Sequence, residues 1–177
     1  RPRAMAARAR LQSERSALRK DRTWLRNPQN PRGFEAKPSS NADDTQNLLV
    51  WKCSIPGPQG TCWEGGRLPL TLTFTEDYAT APPAAQFKQM PPDFKRPLFH
   101  PNVFNDGKVC LSILKQKNWN ASLTIKQVLI SIQRLLAEPN NNDAAQTEAH
   151  KVFANSRVEY ERRVKEQVAL LKDNDDF

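Results

Sequence analysis

Nine of the fourteen prolines fall between Pro56 and Pro101. Proline fixes φ and lacks a backbone N–H, so it cannot sit inside a helix or a central strand without loss. The middle of this 177-residue chain is therefore barred from helix, and its strands must be short and punctuated. The segment after the prolines has the opposite character. Ile125, Val128, Leu129, Ile132, Leu135 and Leu136 recur at helical spacing, Thr124 with Gln127 has the form of a capping box, and Pro139 ends the run. Sheet first and helices last predict an α+β fold.

The rest of the chain fits that order. From Ala6 to about Arg22 the residues favour helix, with Ala7, Leu11, Glu14 and Leu18 on one stripe and Arg8, Arg15, Arg19 and Arg22 on another. Arg26–Arg32 reads as a loop. Gly33–Pro38 and Asn47–Ile55 read as a hairpin across the turn-forming Ser39–Asp44. Leu68–Phe74 alternates with period two, and a short strand is expected at Ala84–Lys88. Residues 89–109 read as a long ordered loop leading into Cys110. Asp143 with Gln146 predicts the cap of a second helix, and Ser156 with Glu159 that of a third reaching about Leu171. The expected architecture is an N-terminal helix, a four-stranded antiparallel meander, a proline-rich loop and three C-terminal helices. One domain spans residues 6–172. Residues 1–5 read as a native extension or a cloning remnant, and residues 173–177 as an acidic tail.

The formal charge of +8 is unevenly placed. Residues 1–37 hold eleven Lys/Arg against three Asp/Glu, and the remainder holds sixteen of each. A basic end on a neutral body suits an acidic partner, or else is a solvated helix face. A nucleic-acid binder would need aromatic–basic interleaving or a recognition-helix signature, and neither is present. Cys53, Cys62 and Cys110 form no CxxC pair, which argues against a disulfide framework and for a reducing compartment. With only His100 and His150 beside them there is no zinc-finger spacing, so no metal is expected. No apolar run exceeds four residues, so neither a membrane span nor a secretory signal is expected.

The tripeptide His100-Pro101-Asn102 stands eight residues before the lone Cys110. This pattern resembles the active-site signature of the ubiquitin-conjugating enzymes. Trp63-Glu64-Gly65-Gly66, Pro97-Leu98-Phe99-His100, Cys110-Leu111-Ser112-Ile113-Leu114, Thr124-Ile125-Lys126-Gln127 and Arg157-Val158-Glu159-Tyr160-Glu161 are similar to the SUMO-conjugating members of that family. The resemblance runs from about Leu11 to about Val168. It implies the ubiquitin-conjugating fold and a transferase that takes SUMO from an activating enzyme as a thioester on Cys110. The modifier then passes to a target lysine, with no cofactor. It also implies SUMO ligases and substrate proteins as partners, no membrane or nucleic acid among them, and a place in nucleus and cytoplasm. Conjugation of ubiquitin or another ubiquitin-like modifier is the alternative. A noncatalytic variant of the fold is a further one, against which the intact Cys110 speaks.

Thioester exchange is close to balanced and needs no strong base, since an ordinary cysteine of pKa about 8.5 already has some thiolate near neutral pH. Asn102 has two readings: a donor to the oxyanion formed when an amine attacks, or a pin for the adjacent loop. His100 and Pro101 read as structural parts of the motif, with His100 packing the loop rather than moving protons. By resemblance Asp143 faces the incoming lysine, although it also reads as a helix N-cap. The substrate-lysine pocket is assigned in the same way to Phe104, Asp106, Lys108, Lys117, Ala145 and Gln146. Arg15, Arg19 and Arg22 are assigned to a noncovalently held SUMO and to the activating enzyme. Departures from the family pattern cluster at the pocket: Phe104 for tyrosine, Asp106 and Lys108 for small hydroxyl residues, Ala84 and Gln86 for lysines, Ala144 for proline, His150 for tyrosine. They put the preference for an acidic residue after the modified lysine in question. Two segments, roughly Thr23–Asn30 and Gln89–Lys95, read as insertions.

Overall fold

The structure is a computed structural model, and it describes residues 2–30, 32–90 and 95–171. A first helix, α1 (Pro2–Lys20), precedes strands β1 (Glu35–Ser40), β2 (Gln46–Pro56), β3 (Arg67–Thr73) and β4 (Ala84–Phe87). Helices α2 (Ile125–Ala137), α3 (Thr147–Asn155) and α4 (Arg157–Leu171) follow. The strands form one antiparallel meander in the order β1-β2-β3-β4. This is the expected α+β architecture. The acidic tail at 173–177 lies outside the described residues, as do positions 91–94 of the second insertion.

The stripe Ala7, Leu11, Glu14 and Leu18 is the buried face of α1. The helix starts at Pro2, a residue suited to the first helical turn, so positions 2–5 continue it. It stops at Lys20, two residues early, because Asp21 turns outward: its carboxylate accepts from the Trp24 N–H at 3.2 Å and pairs with Lys126 on α2. Arg22 thus lies past the helix and leaves the basic stripe. The first insertion is a knot of asparagine bonds. Asn27 donates to the Leu25 carbonyl at 2.8 Å and accepts from the Gln29 N–H at 2.9 Å, while Trp24 stacks on Phe34 at 4.5 Å.

β1 runs two residues later than expected, into the segment read as turn. The register shifts between Pro38 and Ser39, and that bulge lets an edge strand carry a proline and still pair with β2. Pro69 is tolerated in β3 for a related reason: the β3–β4 ladder ends at the Leu70–Phe87 pair, one residue short of it.

The core lies between the sheet and the C-terminal helices. Trp51, Ile55, Leu68, Leu70, Leu72 and Phe87 meet Ile125, Leu129, Ile132 and Leu136 of α2 and Val164 and Val168 of α4. Burying one such side chain stabilises by about 1.5–3 kcal/mol, which far exceeds helix propensity, so α2 owes its existence to this face. Its capping box is present, with Thr124 and Gln127 bonded reciprocally. Ser156 caps α4 through its hydroxyl, which accepts the Glu159 N–H at 3.2 Å. The cap expected of Asp143 is a correction: α3 starts at Thr147, and its N-cap residue is Gln146, whose side chain makes no capping bond.

Candidate active site

The proline-rich crossover forms only isolated bridges, Met90 with Arg96 and Val103 with Val109 among them, so side chains rather than a ladder must fix it. His100 is wholly buried. Its Nδ1 accepts the Asn102 N–H at 3.0 Å, so Nε2 carries the proton and donates to the Leu135 carbonyl at 2.9 Å. Burial pushes its pKa down to about 4. The ring is therefore neutral near pH 7 and fully committed, a strut between the loop and the end of α2.

Pro101 supplies a carbonyl that accepts the N–H groups of Ala145 at 2.8 Å and Gln146 at 3.2 Å. Asn102, also fully buried, is the hub. Its carbonyl accepts the Cys110 N–H at 2.8 Å. Its side-chain amide donates to the carbonyls of Asn140 at 2.7 Å and Asp143 at 2.9 Å, and its Oδ1 accepts the Asn140 N–H at 2.8 Å. Of the two readings the sequence allows, this geometry realises the pin: both amide hydrogens are engaged.

Two segments far apart in sequence, the loop at residues 100–103 and the stretch at residues 135–146, are thereby knitted beside Cys110, which is half-buried with a free thiol. Burial lifts the thiol pKa above its ordinary value, the charge of Lys115 opposes that, and Asp143 adds to it. Cys53 is buried in β2 and Cys62 half-buried beside a turn, and burial raises both. Among the described residues no three His, Cys, Asp or Glu side chains gather as a metal would need.

The other predicted residues fall into two groups. Phe104, 43% exposed, and Asp106 form the turn before Cys110. Gly107 holds it at φ 90°, and a Cβ there would stand 2.2 Å from the Phe87 carbonyl oxygen, so only glycine fits. Lys108 pairs with Asp106 at 3.3 Å, and its N–H bonds the same carboxylate at 2.9 Å. The charge of Lys108 is thus offset by its neighbour. Lys117 is exposed on the second of two short 3-10 turns, Ser112–Leu114 and Gln116–Asn118. Ala145 is half-buried at the site. Gln146 departs from its expected place in the pocket: it is 6% exposed, and its amide is spent on the carbonyls of Leu98 at 3.0 Å and Val103 at 3.1 Å. Asp143 places its carboxylate on Lys115, at 2.9 Å.

Lys115, five residues after Cys110, carries no motif that marks it in the sequence. Glu14 stands on the buried stripe of α1, where spacing alone does not name its partners. That carboxylate accepts from the Tyr78 hydroxyl at 2.7 Å, from the Ile125 N–H at 2.6 Å and from Arg10 at 2.7 Å. Beside the buried stripe of α1, Arg15 and Arg19 line a groove with Lys37 of β1 and Lys52 of β2. Arg22 lines a separate hollow with Thr23, Asn27, Gln29 and Asn30.

Comparison with known proteins adds what geometry does not. A profile described as "Ubiquitin-conjugating enzyme" matches residues 10–168. A SUMO-conjugating enzyme of Arabidopsis thaliana is 47% identical over 162 residues, 91% of this chain and 92% of its own length. One from Caenorhabditis elegans is 46% identical over 162 residues, 91% of this chain and 89% of its own, and one from Dictyostelium discoideum 46% over 160 residues, 90% and 91%. A match running from α1 to the last turns of α4 leaves one conclusion: the chain belongs to the ubiquitin-conjugating enzyme family.

Proposed function

We propose that this protein is a SUMO-conjugating enzyme, which accepts SUMO as a thioester on Cys110 and transfers it to a lysine of a target protein as an isopeptide. The observation that carries this reading is the 46–47% identity to SUMO-conjugating enzymes of three organisms over 160–162 residues. The ubiquitin alternative has no support of that kind.

The first step exchanges one thioester for another, so the half-exposed sulfur needs access rather than a strong base. The second is harder. A free lysine of pKa about 10.4 is neutral roughly once in 2,500 molecules at pH 7. A carboxylate alone favours the ammonium form, so Asp143 serves by orienting the amine and taking its proton while apolar neighbours exclude water. Asp143 must first release Lys115. Asn102 acts by holding the wall of the site, and an oxyanion role would require it to surrender a bond to Asn140 or Asp143. The Phe104 ring, Ala145 and the Asp106–Lys108 pair bound the approach of the lysine, with Lys117 at the rim. The α1 groove at Arg15 and Arg19 suits an acidic face of a second, noncovalently held SUMO, and Arg22 and the same end of the molecule suit the activating enzyme. Ligases and target proteins complete the partners, and nucleus and cytoplasm are the proposed location.

Incubation with SUMO-activating enzyme, ATP and either SUMO or ubiquitin tests the reading on non-reducing gels. A thiol-sensitive adduct with SUMO, absent in Cys110→Ala, is expected. A ubiquitin adduct in its place overturns the choice of modifier, and no adduct at all overturns the reading.

A further inference from the structure

A lysine of the chain itself already sits on the carboxylate assigned to the incoming lysine. Two tight turns, Ser112–Leu114 and Gln116–Asn118, flank Lys115 and fold it back toward Cys110, five residues earlier. Its ammonium lies 2.9 Å from the Asp143 carboxylate, in a pair left 40% and 28% exposed. Asp143 is fixed in the frame of Cys110, since Asn102 bonds the backbone of both. The ammonium also acts on the sulfur directly, opposing the effect of burial on the thiol.

We propose that Lys115 is an internal acceptor: with no substrate lysine in place, the acyl group carried on Cys110 passes to Lys115 of the same molecule. The proposal rests on the conjugating activity above. In the step, Lys115 gives one proton to Asp143 or water, and its nitrogen attacks the thioester carbonyl. The carbon–sulfur bond breaks with its electron pair leaving on sulfur, which takes up a proton. The nitrogen loses its second proton and the carbon–nitrogen bond remains as an isopeptide. No oxidant or cofactor enters. The ion pair with Asp143 favours the protonated amine, so the step is slow compared with transfer to a bound substrate. Proximity works in the other direction, by making it unimolecular.

The experiment charges the full-length protein with SUMO, removes ATP, and follows reducing and non-reducing gels without acceptor. The expected result is a thiol-sensitive adduct that decays in part into a thiol-resistant one of the same size. Peptide mass spectrometry places it on Lys115, and its fractional yield is constant over a tenfold range of enzyme concentration. Lys115→Arg, which keeps the charge toward Asp143 but offers no comparable nucleophile, reduces that adduct at least fivefold, and Lys151→Arg, at an exposed position of α3, retains it. A saturating acceptor peptide suppresses it. A thioester that forms normally yet yields no resistant adduct overturns the proposal, as does a resistant adduct that maps elsewhere or survives Lys115→Arg. Failure to form the thioester overturns the conjugating activity and this proposal together.

Discussion

Asn102 and Asn140 exchange two hydrogen bonds across the active site: Nδ2 donates to the Asn140 carbonyl at 2.7 Å, and the Asn140 N–H donates to Oδ1 at 2.8 Å. Removing the side chain strands backbone groups that folding has taken from water. Each such loss costs about 1–3 kcal/mol. Asn102→Ala is expected to lower the melting temperature by roughly 4–8 °C, the equivalent of about 2 kcal/mol in a domain of this size. It is also expected to slow transfer. Calorimetry beside single-turnover transfer to free lysine separates the roles, because an oxyanion donor alone would cost rate and leave melting unchanged.

His100 gives the fold a pH dependence of definite sign. Its folded pKa near 4 lies below the unfolded value near 6.5, so the unfolded chain binds more protons between the two. Stability is full above about pH 6.5 and falls as the pH drops toward 4, by up to about 3 kcal/mol. Urea melts from pH 7 to pH 4 measure the slope, and it should flatten in that window in His100→Gln. An equal slope in the variant would assign the loss to other groups.

The thiol of Cys110 answers to two charges of opposite sign. Asp143→Asn removes the one that holds its pKa up, and Lys115→Gln removes the one that brings it down. Iodoacetamide labelling followed by mass spectrometry should show the alkylation curve of the wild type displaced to higher pH than that of an ordinary thiol. Asp143→Asn should move it to lower pH, and Lys115→Gln higher still. Identical curves for both variants would remove the pair from any influence on the sulfur.

Charge reversal in the α1 groove is expected to act on binding alone. Arg15 is half-buried and Arg19 exposed, both beside the buried stripe of α1 where the helix faces β1 and β2. Arg15→Glu with Arg19→Glu should weaken noncovalent SUMO association at least tenfold, an effect that grows at low salt. Surface changes of this kind shift stability by about 0.5 kcal/mol or less. Titration calorimetry and thermal melts together decide it.

The sequence announced what depends on local periodicity and concealed what depends on long-range meetings. The stripe at Ala7, Leu11, Glu14 and Leu18, the apolar face of α2 and its Thr124–Gln127 box follow from spacing on one element, and all three are present. β1 extends past its predicted end at Pro38 because a bulge there lets turn-like residues pair. Asp143 has the spacing of a cap because Gln146 follows three residues later. Its carboxylate instead meets a lysine 28 residues away, and Gln146 turns inward to carbonyls more than 40 residues away. No local rule forecasts either partner. The site motif was legible as a string, while its bonding by Asn102 was not.

Glu14 and His100 hold α2 at its two ends. The Glu14 carboxylate grips the first N–H of α2 at Ile125, and ten residues along, the Leu135 carbonyl is held by His100. The helix is thus clamped like a crossbeam, with the basic surface of α1 bolted to one end and the loop bearing the reactive sulfur hung from the other. The far joint, the His100 ring, also accepts the Asn102 N–H, and the Asn102 carbonyl in turn accepts the N–H of Cys110.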